Sequence, residues 1–211
     1  MSDKLKNLSP NRRRVLKFMA IVGTSATYLN NYPLTEANAQ TKQKGYGQDV
    51  DVNNPVVTWD KRLTPNQIKS LDVIGDLIIP TDDQSPSASH LKITDFVDEW
   101  VSAPYPEQEQ DMETITNGLA RLHALANKQD ARYFHDLEAD AQSTIFNSLA
   151  NSVQDDAASA EDDTFFERIV YLYVGGYYTT DEGMEDIGYA GNVPIESFDG
   201  PPQEIRDMIG V

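Results

Sequence analysis

The chain has 211 residues, of which 39% are apolar and 24% charged, a globular composition and a length suited to one domain with a single ordinary core. Its formal net charge of −17 repels phosphate backbones and anionic lipid headgroups, which argues against nucleic acid as a partner. There is no cysteine, so disulfides, thioether-attached c-type haem, cysteine-held iron–sulfur clusters and zinc–thiolate sites are excluded.

The first 39 residues reverse the charge balance, with six basic and two acidic side chains. Lys4 and Lys6 precede Asn11-Arg12-Arg13-Arg14-Val15-Leu16-Lys17, and a weakly apolar stretch runs from Phe18 to about Leu29. Ala37-Asn38-Ala39 then offers small residues at the two positions a signal peptidase reads. Gly23, Thr24, Ser25 and Thr27 dilute the apolar stretch, which is too short to span a bilayer. The order resembles a twin-arginine export signal, written Ser/Thr-Arg-Arg-x-Phe-Leu-Lys. Arg12, Arg13, Leu16 and Lys17 match it, and Asn11 and Val15 depart from it. Residues 1–39 are therefore expected to be a cleaved leader, with Ala37 and Ala39 directing the cut and the periplasm as destination. A polar arm follows over residues 40–62, and a helical domain over 63–211.

In the mature part, Thr64-Pro65 supplies an N-cap and a first-turn proline. Ile68, Leu71, Ile74, Leu77 and Ile78 recur at helical spacing until Pro80. A polar loop from Thr81 to Ser89 leads to a second stripe, Ile93, Phe96, Val97, Trp100 and Val101, stopped by Pro104 and Pro106. The third helix is predicted from Glu107 to about Asn127 with Met112, Ile115, Leu119, Leu122 and Leu125 inward, and a fourth around Ala139–Asn151 with Ile145, Phe146 and Leu149. After an acidic, alanine-rich linker from Gln154 to Asp163, the most hydrophobic helix carries Phe165, Phe166, Ile169, Val170, Leu172 and Tyr173. No strand-length run alternates with period two, and no repeat of fixed period occurs. The fold class is all-α, a small helical bundle.

From Gly175-Gly176-Tyr177-Tyr178-Thr179-Thr180 onward, glycine and proline recur while tyrosines keep supplying contact surface. Gly183, Gly188-Tyr189, Gly191-Asn192, Pro194, Phe198 and Gly200-Pro201-Pro202 continue the pattern. It predicts an extended, shaped segment that either wraps its own bundle or docks on a partner.

Candidate chemistry is sparse. His90, His123 and His135 show no paired metal-ligand spacing and read as surface or capping residues. Asp82-Asp83 and Asp162-Asp163 lie at helix ends, where carboxylates cap or meet the helix dipole. No dinucleotide fingerprint, phosphate loop, nucleophile elbow or Ser/His/Asp grouping can be singled out.

Leu71-Asp72-Val73-Ile74-Gly75-Asp76-Leu77-Ile78-Ile79-Pro80-Thr81-Asp82 resembles the opening helix of the gluconate 2-dehydrogenase subunit 3 family. Gly176-Tyr177-Tyr178-Thr179 with Gly188-Tyr189-Ala190-Gly191-Asn192 is similar to that family's C-terminal signature. The resemblance implies a non-catalytic accessory subunit of a membrane-associated dehydrogenase complex, periplasmic and peripheral to the inner membrane. Its implied partners are an FAD-binding large subunit of the glucose-methanol-choline type, oxidising a sugar, sugar acid or alcohol, and in some complexes a multihaem cytochrome c. The large subunit would mature and pass the twin-arginine translocase together with this chain, which itself binds no cofactor. Gly176, Tyr177, Tyr178, Gly188, Tyr189, Gly191 and Asn192 are then the candidate partner interface, since tyrosine is enriched at interfaces. Two other classes remain open at this point: a periplasmic enzyme with a carboxylate-only metal site, and a stand-alone binding module.

Overall fold

A computed structural model describes residues 56–189, together with Asn53, Gly191, Gln203, Arg206 and Asp207. Arg12, Arg13, Leu16, Lys17, Ala37 and Ala39 of the expected leader, and Asn192 of the C-terminal motif, lie outside the described residues. Among those described, the regular elements are all helical: α1 (Pro65–Ile78), α2 (Ile93–Ser102), α3 (Pro106–Asn127), a 3-10 turn (Phe134–Asp136), α4 (Ala139–Gln154), α5 (Ala160–Tyr177) and α6 (Asp181–Asp186). None of these helices is long and apolar enough to cross a membrane.

α1 starts where the capping signal put it. The Thr64 hydroxyl accepts from the Gln67 N–H at 3.4 Å while the Gln67 side chain accepts from the Thr64 N–H at 2.8 Å. This reciprocal box satisfies two otherwise orphaned donors. Leu71, Ile74 and Ile78 face inward and are buried. Upstream, the last residues of the polar arm lie along α2 and α3. Trp59 Nε1 donates to the Glu99 carbonyl, the Arg62 N–H to Ser102 Oγ at 2.8 Å, and the Leu63 N–H to the buried carboxylate of Asp98. An irregular strand of backbone must find acceptors somewhere, and here the polar side chains of α2 provide them.

Pro106, expected only as a stop, is the first residue of α3, a position where its missing N–H costs nothing. Phe96 and Leu125 were expected inward, yet each is 40% exposed. Periodicity places them on the apolar sides of α2 and α3, but they fall at the edges of the contact faces. α4 runs to Gln154, past the expected Asn151, and buries Phe146. The linker into α5 is only residues 155–159, because Ser159 caps the helix by accepting from the Asp162 N–H. Asp162 in the first turn also holds Arg121 at 2.6 Å, an anion at the positive end of a helix.

α5 is the centre of the bundle and packs against α1, α2, α3 and α4. Phe165, Phe166, Ile169, Val170, Leu172, Tyr173, Val174 and Tyr177 are all buried, each worth roughly 1.5–3 kcal/mol of apolar transfer. Two glycines admit this helix between its neighbours. A Cβ at Gly118 of α3 would collide with the Phe165 ring, and one at Gly75 of α1 with the Tyr173 ring.

The largest departure from expectation lies at the C-terminal end. The segment read as extended from Gly175 is helical through Gly175-Gly176 to Tyr177, and Thr180 then caps the short α6. Gly176 is required by packing, since a Cβ there would strike Ile93 and Phe96. Tertiary contact outweighs the roughly 1 kcal/mol by which each glycine disfavours a helix interior.

Candidate functional site

α1 and the loop after it meet the C-terminal part of α5 and the start of the following segment, about a hundred residues on in sequence. The Tyr173 hydroxyl donates to the Leu71 carbonyl at 2.7 Å and shares a hydrogen bond with Thr94 Oγ1 at 2.9 Å. Burial pushes this phenol far above its ordinary range, so it stays neutral and donates. One turn on, the Tyr177 hydroxyl donates to the Pro86 carbonyl at 2.8 Å, and Ser85 Oγ donates to Asp186 Oδ1 at 2.8 Å. The loop that follows α1 is thus tied to α5 and α6 by buried polar contacts. The loop also ties itself. Asp82 Oδ1 accepts from the N–H groups of Gln84 and Ser85, and Asp76 accepts from the N–H and hydroxyl of Ser89. Asp82 therefore closes a turn in the loop rather than capping a helix.

At its other end, α6 stops in a Schellman motif. The Tyr189 N–H reaches the Met184 carbonyl at 2.9 Å and the Gly188 N–H the Glu185 carbonyl at 3.0 Å, with Gly188 left-handed at φ 69°. Gly191 is left-handed as well, at φ 72°. The motif glycines thus have local work to do, and the turn they make leaves Tyr189 56% exposed. Beside it is an open cleft of about 490 Å³ lined by Asp181, Met184, Glu185, Gly188, Tyr189 and Gly191.

These placements divide the expected interface residues. Tyr177 is a core residue with no exposed surface, and Gly176 is buried beneath Phe96. Neither presents a surface to a partner, which corrects the reading of both. Tyr178 is half-buried, its ring 5.2 Å from that of Tyr177, while Gly188, Tyr189 and Gly191 form the accessible turn.

A model of the family described as gluconate 2-dehydrogenase subunit 3 matches residues 65–200, a span that takes in both motif segments. The chain belongs to the gluconate 2-dehydrogenase subunit 3 family. It is a subunit type of a dehydrogenase complex. No curated protein and no solved structure gave a match.

This subunit 3 chain also holds a cluster that sequence reading missed. Ser70 Oγ lies 2.9 Å from His135 Nδ1, and His135 Nε2 lies 3.5 Å from Asp136 Oδ1. The order is that of a Ser/His/acid relay, but Ser70 has no exposed surface and cannot meet a substrate. Ser70 and His135 are 65 residues apart, so spacing gave no signal. The Tyr133 ring stacks on His135 and meets the His123 ring edge-on, each at 5.3 Å. His123 Nδ1 accepts from the Phe134 N–H at 3.1 Å, which ties α3 to the 3-10 turn. Among the described residues, no group of three or more histidine or acidic side chains is placed to hold a metal ion.

That last bond predicts a pH dependence. Burial, and secondly the neighbouring His135, lower the His123 pKa from the ordinary 6.5, with Asp136 pulling the other way. Only the neutral ring has a lone pair at Nδ1 for Phe134. In the unfolded chain the ring takes up its proton near 6.5, before the native ring does, so stability falls as pH drops through this window. Thermal melts between pH 7.5 and 5.5 should show a falling Tm. In His123→Ala the Tm at pH 7.5 should be lower and its slope across that range smaller; an unchanged slope would rule His123 out as the cause.

Proposed function

We propose that this chain is a non-catalytic accessory subunit of a periplasmic FAD-dependent dehydrogenase complex. It binds the flavoprotein large subunit in the cytoplasm, supports its maturation and carries it through the twin-arginine route. The observation that carries the reading is the family match over residues 65–200, behind a leader with the twin-arginine order Arg12-Arg13-x-x-Leu16-Lys17. The described part of the chain agrees with such a role. Its motif tyrosines build a rigid end to the bundle, and Tyr178, Tyr189 and the Gly188–Gly191 turn offer a docking surface there. With no cysteine, the chain cannot attach the c-type haem, which belongs to a cytochrome subunit where one is present.

Co-expression of the tagged chain with the large subunit tests this directly. Capture should bring both proteins down together, with flavin absorbance in proportion to the large subunit. Recovery of a lone, stable monomer while the large subunit matures unaided would overturn the proposal.

A further inference from the structure

The 3-10 turn between α3 and α4 buries Phe134 completely, yet polar side chains tie it to its three neighbouring helices. His123 Nδ1 of α3 accepts from the Phe134 N–H at 3.1 Å, and Ser70 Oγ of α1 lies 2.9 Å from His135 Nδ1. Gln142 Nε2 of α4 donates to the Leu137 carbonyl at 2.8 Å and to the His135 carbonyl at 3.3 Å. The turn's own backbone bonds, from Asp136 to Tyr133 and from Leu137 to Phe134, are local. A segment fixed mainly through side chains can open ahead of the helices around it.

One of these anchors exists in a single charge state. An imidazolium carries a hydrogen on both nitrogens, so a protonated His123 sets one N–H against another at Phe134. The charged and titratable groups around it make that proton less welcome. The Tyr133 ring lies between the His123 edge and the stacked face of His135, and the Arg132 guanidinium stands 5.2 Å from its centre. Asp136 is the one opposing charge given for His123, and its carboxylate is engaged within the turn, by the Tyr133 N–H at 3.0 Å and by His135 Nε2 at 3.5 Å. From α1 and α4 the turn meets Ser70 and Gln142, both uncharged.

We propose that the turn is an acid-operated latch: on taking up a proton His123 lets go of Phe134, and the α3–α4 connection opens while α5 and the helices around it stay folded. A Tm reads the bundle as a whole. The latch is a smaller opening that exposes Phe134 from within the native state, and it stands independently of the subunit's role in a complex. The open ring titrates near the ordinary 6.5, whereas burial and the neighbouring His135 hold the closed ring lower. Opening is therefore increasingly favoured as pH falls through that value, approaching about tenfold between pH 7.5 and 5.5.

Amide hydrogen exchange of the full chain, normalised to intrinsic rates at each pH, tests the latch. Protection at Phe134, Asp136 and Leu137 should lie well below that of Tyr173 and Val174 in α5, and should fall by about tenfold from pH 7.5 to pH 5.5. In His123→Asn, whose side-chain oxygen accepts a hydrogen bond at either pH, the turn should lose most of that fall. One protection factor shared by the turn and α5 amides would make the opening global and overturn the latch. A flat wild-type profile would do the same, and both readings stand whether or not the variant folds. A tenfold fall retained in His123→Asn would overturn His123 as the group that operates it.

Discussion

Periplasmic dehydrogenase activity is expected to fall by about tenfold or more when Arg12 and Arg13 are both replaced by lysine, with flavoprotein accumulating in the cytoplasm. The substitution keeps both positive charges, so attraction to an anionic membrane surface is preserved. What it removes is the planar guanidinium fork, which binds carboxylates in a bidentate manner that an ammonium cannot reproduce. A loss with charge conserved therefore reports recognition by the translocase rather than electrostatic attraction. Both subunits should be followed by fractionation, because the proposal makes the leader an address for two proteins. If the small subunit stays inside while the dehydrogenase still reaches the periplasm, the carrier role is wrong even though the leader is real.

The second large effect concerns Asp111 and Arg168. Asp111 is 3% exposed, and its carboxylate is held by Arg168 on one oxygen and by Trp100 on the other. Burial raises its pKa above the ordinary 3.8, and the bonds from Trp100 and Arg168 oppose that rise. Arg168→Ala removes the cation and leaves a buried carboxylate without its charge partner, at a cost of about 3–5 kcal/mol. For a domain of this size that lowers Tm by roughly 6–20 °C. The loss should depend on pH with a definite sign. A folded-state pKa above the unfolded value means that the native state holds the extra proton, so stability is greatest at low pH and declines as pH rises through the raised value. Removing the Arg168 cation, which lowers that pKa, raises it further, so Arg168→Ala should lose more at pH 8 than near pH 4. Asp111→Asn in the same background should recover part of the loss and flatten the profile. Equal losses at the two pH values would show that Arg168 acts through its contacts with Tyr171 and Glu107 rather than by neutralising Asp111.

Tyr177 of the C-terminal motif, like Tyr173 one turn before it, is first a folding residue. The Tyr173 hydroxyl donates to the Leu71 carbonyl of α1 and the Tyr177 hydroxyl to the Pro86 carbonyl of the following loop, which ties both to α5. An aromatic, glycine-rich motif on a chain without evident catalytic residues invites a docking reading, and for Tyr189 that reading stands as the proposal. For Tyr177, burial decides otherwise.

Local chemistry alone determined the helical class, the capped start of α1 at Thr64-Pro65 and most of the inward stripes. Each depends on residues within a few positions of one another, where the 3.6-residue period and the capping rules act. The continuation of α5 through two glycines, the edges at which Phe96 and Leu125 emerge, and the meeting of Ser70 with His135 were decided only by the tertiary structure. The reason is physical: periodicity says which side chains share a face, but the width of the buried face is set by the helices packed against it. A glycine pair that breaks an isolated helix is tolerated, and at Gly176 demanded, once Ile93 and Phe96 occupy the space its side chain would need.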